Sequence, residues 1–448
     1  MPIEVVEFLV TSLLVLSGLY FFRKNDEFLI LLALFLLNTG LYRYEVVQSG
    51  VVNWVRVAYS TGVDFFTMTD ELALEALNLF LLGTAVMMAS YAFFRKQLRP
   101  LRAVDSEELF KGFIKKKKNL IIGLFVFFLV ANSFARGAIR GAIAYGNSYA
   151  LLFGMAIGGI ILLMYLVFKN MTFKRAGLSK LVFGALIVFA ATMSYGTSGR
   201  FKFLSWAIGI GILVVKDMKP WKKVQLYAAG GFGLIVLFAL AGVARMQSVE
   251  NMTTSEKVSV ALDRFSAGED QNMLDGFMMV LQVYPELLNY HYGTEHLEIL
   301  ARPIPRSLWP DKPVGGYANK LGLNDNMGGA TVGISQTIYG SFFGEGGIPG
   351  IIIFSILYGW LFARLFRYAE RYRSDMRWLI KGMVLASAVP LLRGGDLPGI
   401  YAFIGMSFWP VFILIYQYNQ HLKKLERRRK RALRQAATTT APAEVVLS

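Results

Sequence analysis

Arginines mark the places where this chain could do chemistry. Arg136 and Arg140 stand four apart in "FARGAIRG", Arg200 closes "YGTSGR", and Arg245 opens a long polar segment. Arg302 and Arg306 share "RPIPRSLWPDKP", and Arg393 stands three residues before Asp396 in "RGGDLPG". Helical spacing puts Arg136 and Arg140 on one face, where like charges repel unless an anion lies between them. The glycine-rich turn before Arg200 offers its amides, and the N-terminus of the next helix, to an anion. The planar guanidinium grips phosphate through two parallel hydrogen bonds and sheds water more easily than an ammonium. Together the arginines point to an anionic ligand. Glu345 in "FFGEGG" and Asp396 each sit among glycines beside an apolar run; the plainer expectation for Asp396 is a salt bridge with Arg393 or a turn cap. The chain has no cysteine, so disulfides and Cys-ligated metals are excluded. His291 and His296 in "HYGTEH" lack a zinc spacing, and there is no P-loop, GxSxG or DxD-type pair, so a metal-dependent nucleotide-sugar enzyme is not indicated.

The elements that must position these residues are membrane helices. The chain has 448 residues, 55% of them hydrophobic, and a mean hydropathy of +0.47. Eleven apolar runs approach bilayer-spanning length: 3–22, 28–44, 72–94, 119–135, 149–168, 181–196, 201–215, 224–243, 347–363, 378–392 and 400–417. In lipid the backbone must satisfy its own polar groups, so such runs are helical. The expected fold is all-α: a polytopic integral membrane protein of about 11 transmembrane helices. The first run lacks a basic flank and a cleavage site and reads as a retained helix. With the N-terminus external and the C-terminus cytoplasmic, 33 of the 47 basic residues fall in six internal segments, the asymmetry that fixes orientation. "KKKK" at 115–118 and "ERRRKR" at 426–431 then set topology and touch anionic membrane lipid; they do not imply nucleic acid. The external cations are mostly arginine (ten against four lysines), a bias that topology alone does not require.

One membrane domain, 1–434, contains a long external loop, 245–335, and the Ala/Thr-rich stretch 435–448 reads as a disordered cytoplasmic tail. The loop carries helix-like stretches at 256–265 and 272–288, the second limited by Pro285 and apolar enough to be amphipathic or re-entrant. Loops of this length with structure of their own usually act as binding loops or lids. Four prolines crowd 303–313. Each fixes φ and restricts the residue before it, so the segment is expected to be extended and rigid.

An external "GTSGR", a long loop ending in "RPIPRSLWPDKP" and then "GSFFGEGGIPG" entering a helix resemble the Wzy-type O-antigen and exopolysaccharide repeat-unit polymerases, related in layout to the O-antigen ligases. The likeness covers most of the chain as topology, and as motif 196–206 and 302–350. It departs from the family pattern of Gly-Glu, an aromatic, Asn and Gly: here Ser341 follows Gly340, Phe343 holds the aromatic place and Glu345 stands where Asn would be. The resemblance implies a GT-C-like, metal-independent glycosyltransferase of the cytoplasmic (inner) membrane, without cofactor. It would join polyprenyl-diphosphate-linked oligosaccharide repeat units, donor and acceptor, into a cell-surface polysaccharide. A chain-length regulator and a flippase are implied partners. Arg200 and Arg306, with Glu345 as a carboxylate base, would be catalytic; Arg136, Arg140, Arg245, Arg302, Arg393, Asp396 and Trp309 would hold diphosphate and glycan, with Tyr292 and Tyr317 as further stacking rings. The alternatives are a lipid-linked oligosaccharide flippase or transporter, which should line a path with charge and show an internal repeat, and a ligase-type glycan transferase.

Overall fold

The computed structural model describes residues 1–50, 69–134, 149–170, 181–186, 188–189, 200–243, 255, 272–304, 308–309, 311–313, 315–321 and 335–439. These residues form helices and no strand: α1 (Ile3–Lys24), α2 (Phe28–Gln48, broken by a π-turn at Leu37–Leu41), α3 (Asp70–Gln97), α4 (Glu107–Phe134), α5 (Tyr149–Asn170), α6 (Arg200–Val215), α7 (Pro220–Val243), α8 (Met273–Val283), α9 (Thr337–Ala369), α10 (Asp375–Arg393) and α11 (Leu397–Thr439). Ten of the eleven apolar runs fall on helices; the sixth is described only at 181–186 and 188–189, which are helical. Among the described residues α1, α2, α3, α9 and α11 are long and apolar enough to cross a membrane.

Local chemistry sets the boundaries. Asn25 takes the left-handed conformation (φ 54°) that ends α1, and Asp26 accepts from Phe28 N at 3.2 Å to begin α2. Thr69 caps α3 through Leu72 N at 3.1 Å, with Asp70 and Glu71 in its first turn and Arg95 and Lys96 in its last, matching the helix dipole. Lipid is as apolar as leucine, so helices associate in a bilayer through close packing and polar links. Gly83 of α3 lies under the Tyr339 ring of α9, and Gly159 of α5 lies against the Ser407 carbonyl of α11; a Cβ at either glycine would clash. Ser90 Oγ donates to the Ile356 carbonyl at 2.7 Å, tying α3 to α9.

The helix ends sort into two sets. At one end Arg95 pairs with Glu370 (2.6 Å) and Asp26 (3.4 Å), Lys381 with Glu27, and Lys216 and Lys169 with the buried Asp375. Asp105 accepts from Arg373 N at 2.7 Å. All of these residues come from the segments that the charge pattern assigns to one side. The opposite end gathers α8, the residues after it, the start of α9 and the α10–α11 turn, joined by Arg43–Asp275, Glu345–His296 and Arg302–Asp396.

α8 covers the apolar part of 272–288 and ends before Pro285. It is buried on nearly every side, Asp275 included, so it is a core element of the loop. The expected helix at 256–265 lies outside the described residues. The proline segment differs from expectation. Arg302 adopts helical angles (φ −57°, ψ −38°) directly after a 3₁₀ turn, Glu298–Ala301, despite preceding a proline. Lys312 folds back beneath it and donates to the carbonyls of Arg302 (3.3 Å) and Ile304 (2.9 Å). Its described part is a closed loop held by a buried ammonium, because these bonds outweigh the extended preference before proline. At the far end α11 runs through "ERRRKR" to Thr439.

Candidate functional site

The site is built where α9 breaks. Gly347 has φ 65° and ψ −146°, angles that glycine alone adopts without strain. The break frees Gly344 and Glu345 carbonyls to accept from His291 N (3.0 Å) and Tyr292 N (2.8 Å), so the loop docks onto the opened helix. The Glu345 side chain is fully buried. It accepts from Gly293 N at 2.5 Å and meets His296 Nδ1 at 2.6 Å. The His296 ring stacks on Phe354, with centroids 4.3 Å apart and planes 8° apart, and Phe342, Tyr358 and Tyr401 surround it. Its Nε2 is buried and has no hydrogen-bond partner among the described residues. A carboxylate on Nδ1 favours the tautomer with its proton there, leaving a lone pair on Nε2.

Beside this dyad, one Arg302 nitrogen lies 2.6 Å from both oxygens of Asp396, and both side chains are partly exposed. Asp396 also accepts from Gly399 N at 3.0 Å, capping α11. Of the two expectations for Asp396 the turn cap is therefore present, while its ion pair is with Arg302; Arg393 Nε donates to Ser335 Oγ at 2.6 Å. Gly394, between Arg393 and Asp396 in the chain, bridges to Thr337. Thr337 itself has φ 59°, a strained conformation for a β-branched residue, held by that bridge and by Gly340 N donating to its hydroxyl at 3.1 Å.

A second carboxylate lies under the same loop. Glu295 is 2% exposed and accepts from Gly316 N at 3.2 Å. Burial pushes its carboxyl up to about 8; Lys320 opposes, while Glu345, Glu298 and Asp396 add to the rise. It is therefore largely protonated at neutral pH. Burial, then Lys320, hold His291 below the ordinary histidine range, so its neutral ring faces the Tyr284 hydroxyl (2.8 Å) and Lys320 Nζ (3.0 Å) through Nε2.

Glu345, Arg302 and Asp396 thus stand at one end, and Arg393 anchors the α9 start near them. Trp309, 40% exposed, belongs to the loop closed by Lys312. Arg136, Arg140, Arg245 and Arg306 lie outside the described residues; Arg200 opens α6, and its side chain is not among those described. Sequence reasoning missed His296 as the Glu345 partner, weighing it only as a metal ligand, and missed Glu295 and Lys320; a single sequence holds no signal for contacts across 49 residues. Arg43, which lies in none of the arginine motifs, is fully buried with Asp275 at 2.5 Å. Among the described residues no three His, Asp or Glu side chains gather to hold a metal ion. Compared with protein-family models, curated proteins and solved structures, the chain matches none.

Proposed function

We propose that this chain is a membrane glycosyltransferase that polymerises polyprenyl-diphosphate-linked oligosaccharide repeat units at the external face of the cytoplasmic membrane, with about 11 spans in a GT-C-like arrangement. The observation that carries the reading is the Glu345–His296 pair in the break of α9, with Arg302 close by under the same loop. Glu345 orients the ring and stabilises the imidazolium. His296 Nε2 takes the proton of the acceptor hydroxyl as that oxygen attacks the anomeric carbon. The bond from that carbon to the diphosphate oxygen breaks, and the polyprenyl diphosphate leaves with the charge. Arginines stabilise that charge most where water is excluded. Arg302 is the candidate for that role, exchanging Asp396 for diphosphate; the resemblance assigns the same role to Arg200 and Arg306. Nε2 is buried, so access for the acceptor requires that the side chains around it move.

The transporter reading can call on one cavity, although its lining carries a single charged side chain where a transport path should carry several. An apolar groove of about 670 Å³ runs between α2, α6, α7 and α10, with Glu27 and Tyr227 at the end away from the dyad. The purified protein given lipid-linked repeat units decides between them. Chain lengthening, lost in Arg200→Ala, Arg306→Ala and Glu345→Gln variants that still fold, supports polymerisation. Translocation without lengthening, or full-length polymer from the arginine variants, defeats it.

A further inference from the structure

The strongest unassigned feature lies at the opposite end, where α11 leaves its apolar stretch. A cleft of about 750 Å³ opens there between the segment Arg102–Val104, Arg371 just beyond α9, and one face of α11. Residues 416, 419, 423, 426, 430 and 433 recur at helical spacing along that face. Five cations line the cleft: Arg102, Arg371, Lys423, Arg429 and Lys430. Glu426 is the one carboxylate in the lining; Lys430 pairs with it at 2.8 Å, and Arg102 is close enough to act on it as well. The convergence of cations from three separate segments on one hollow exceeds what a solvated basic helix face needs. Tyr416 stands at the membrane side, 64% exposed, in the last turn of the apolar run, the place where tyrosines sit at headgroup level.

We propose that this cleft is a binding site for the phosphate headgroup of an anionic phospholipid. Arg102 and Arg429 grip the phosphate from opposite walls, and Lys423 and Arg371 add charge between them. Guanidinium forks suit phosphate oxygens, and juxtamembrane basic clusters hold anionic lipid. Tyr416 places the glycerol end at the level where acyl chains begin. The site does not depend on the glycosyltransferase reading.

The test measures phosphatidylglycerol binding to the full-length protein in zwitterionic nanodiscs, by native mass spectrometry and by the shift in melting temperature on titration. Two double variants each remove two charges. Arg102→Gln with Arg429→Gln empties the cleft walls. Lys424→Gln with Arg428→Gln clears the opposite face of α11, where both already crowd His421 alongside Lys116 and Lys117. Both variants lose the diffuse attraction of two charges, and only the cleft variant also loses charge-assisted hydrogen bonds to the phosphate, so it is expected to bind at least about tenfold more weakly than the control. Equal losses in both would mean diffuse surface attraction and overturn the site, as would an unchanged cleft variant. Glycerol phosphate competing as well as the lipid would overturn the lipid as occupant. Single Arg102→Gln and Arg429→Gln variants, each expected to show a partial loss, serve where the double variant does not fold.

Discussion

At the scale of single residues, the dyad yields the sharpest expectation. Glu345→Gln keeps an acceptor for Gly293 N but removes the charge that stabilises an imidazolium. Chain extension should fall about 10²–10⁴-fold while the melting temperature moves little, and His296→Ala should match it; a variant of normal activity removes the dyad from the reaction. Glu295 makes a separate prediction. Its folded carboxyl titrates near 8, against an ordinary 4.5, so the folded protein keeps a proton that the unfolded chain releases. The stabilisation is complete below about 4.5 and is lost as pH rises through about 8, with a slope of about 1.4 kcal/mol per pH unit in between. Melting curves at pH 5.5 and 8.5 should show wild type losing more stability than Glu295→Gln, in which the amide oxygen still accepts from Gly316 N. Parallel curves would mean that Glu295 is ionised in the fold, balanced by Lys320 against Glu298, Glu345 and Asp396. Sequence picked out Glu345 and Asp396 by residue type and glycine context, and Arg302 by its place in the proline segment. For Asp396 it offered a salt bridge or a turn cap; the cap to Gly399 N is present, but the cation comes from Arg302, 94 residues away, because spacing reports only neighbours along the chain.

At the scale of elements, hydropathy located the helices, since apolar length is what a bilayer selects. It did not locate the interruption of α9, whose hydrogen bonding begins at Thr337, ten residues before the apolar run. Gly347→Ala should strain that break and press a Cβ to 3.2 Å from the Tyr290 hydroxyl, uncoupling the loop from α9. Faster proteolysis between residues 284 and 321 would report it; unchanged protection would mean that the break tolerates a side chain. Arg43 and Asp275 fasten α8 to α2 with both side chains fully buried. Removing one partner of a buried ion pair is strongly destabilising, so Arg43→Ala should cost about 3–5 kcal/mol. Arg43→Met with Asp275→Leu should recover most of that loss, because two apolar groups fill the space without a charge. A double variant as unstable as the single would show that the pair itself, and not the orphaned charge, holds α8.

At the scale of the whole molecule, charge and structure converge from independent directions. The positive-inside pattern divided the linkers into two classes using composition alone, and the folded chain gathers members of each class at opposite ends of the helices. Lys24–Glu27, the α3–α4 linker, the α6–α7 turn and the α9–α10 turn meet around Arg95, Glu370 and Asp375. The loop after α8 meets the α10–α11 turn around Arg302. Which end faces outward is a matter of basic-residue count, and the absence of cysteine makes it directly testable. Tyr292 is 80% exposed at the dyad end, and the Asp217 side chain is 83% exposed at the other. Tyr292→Cys should react with a membrane-impermeant maleimide on intact cells, and Asp217→Cys only after permeabilisation. The reverse pattern would place the dyad inside, where an external polymerisation site could not be; labelling of both on intact cells would end the two-sided arrangement itself. The barrier between the two positions is the bilayer that the apolar helices require, so the experiment tests orientation and span together.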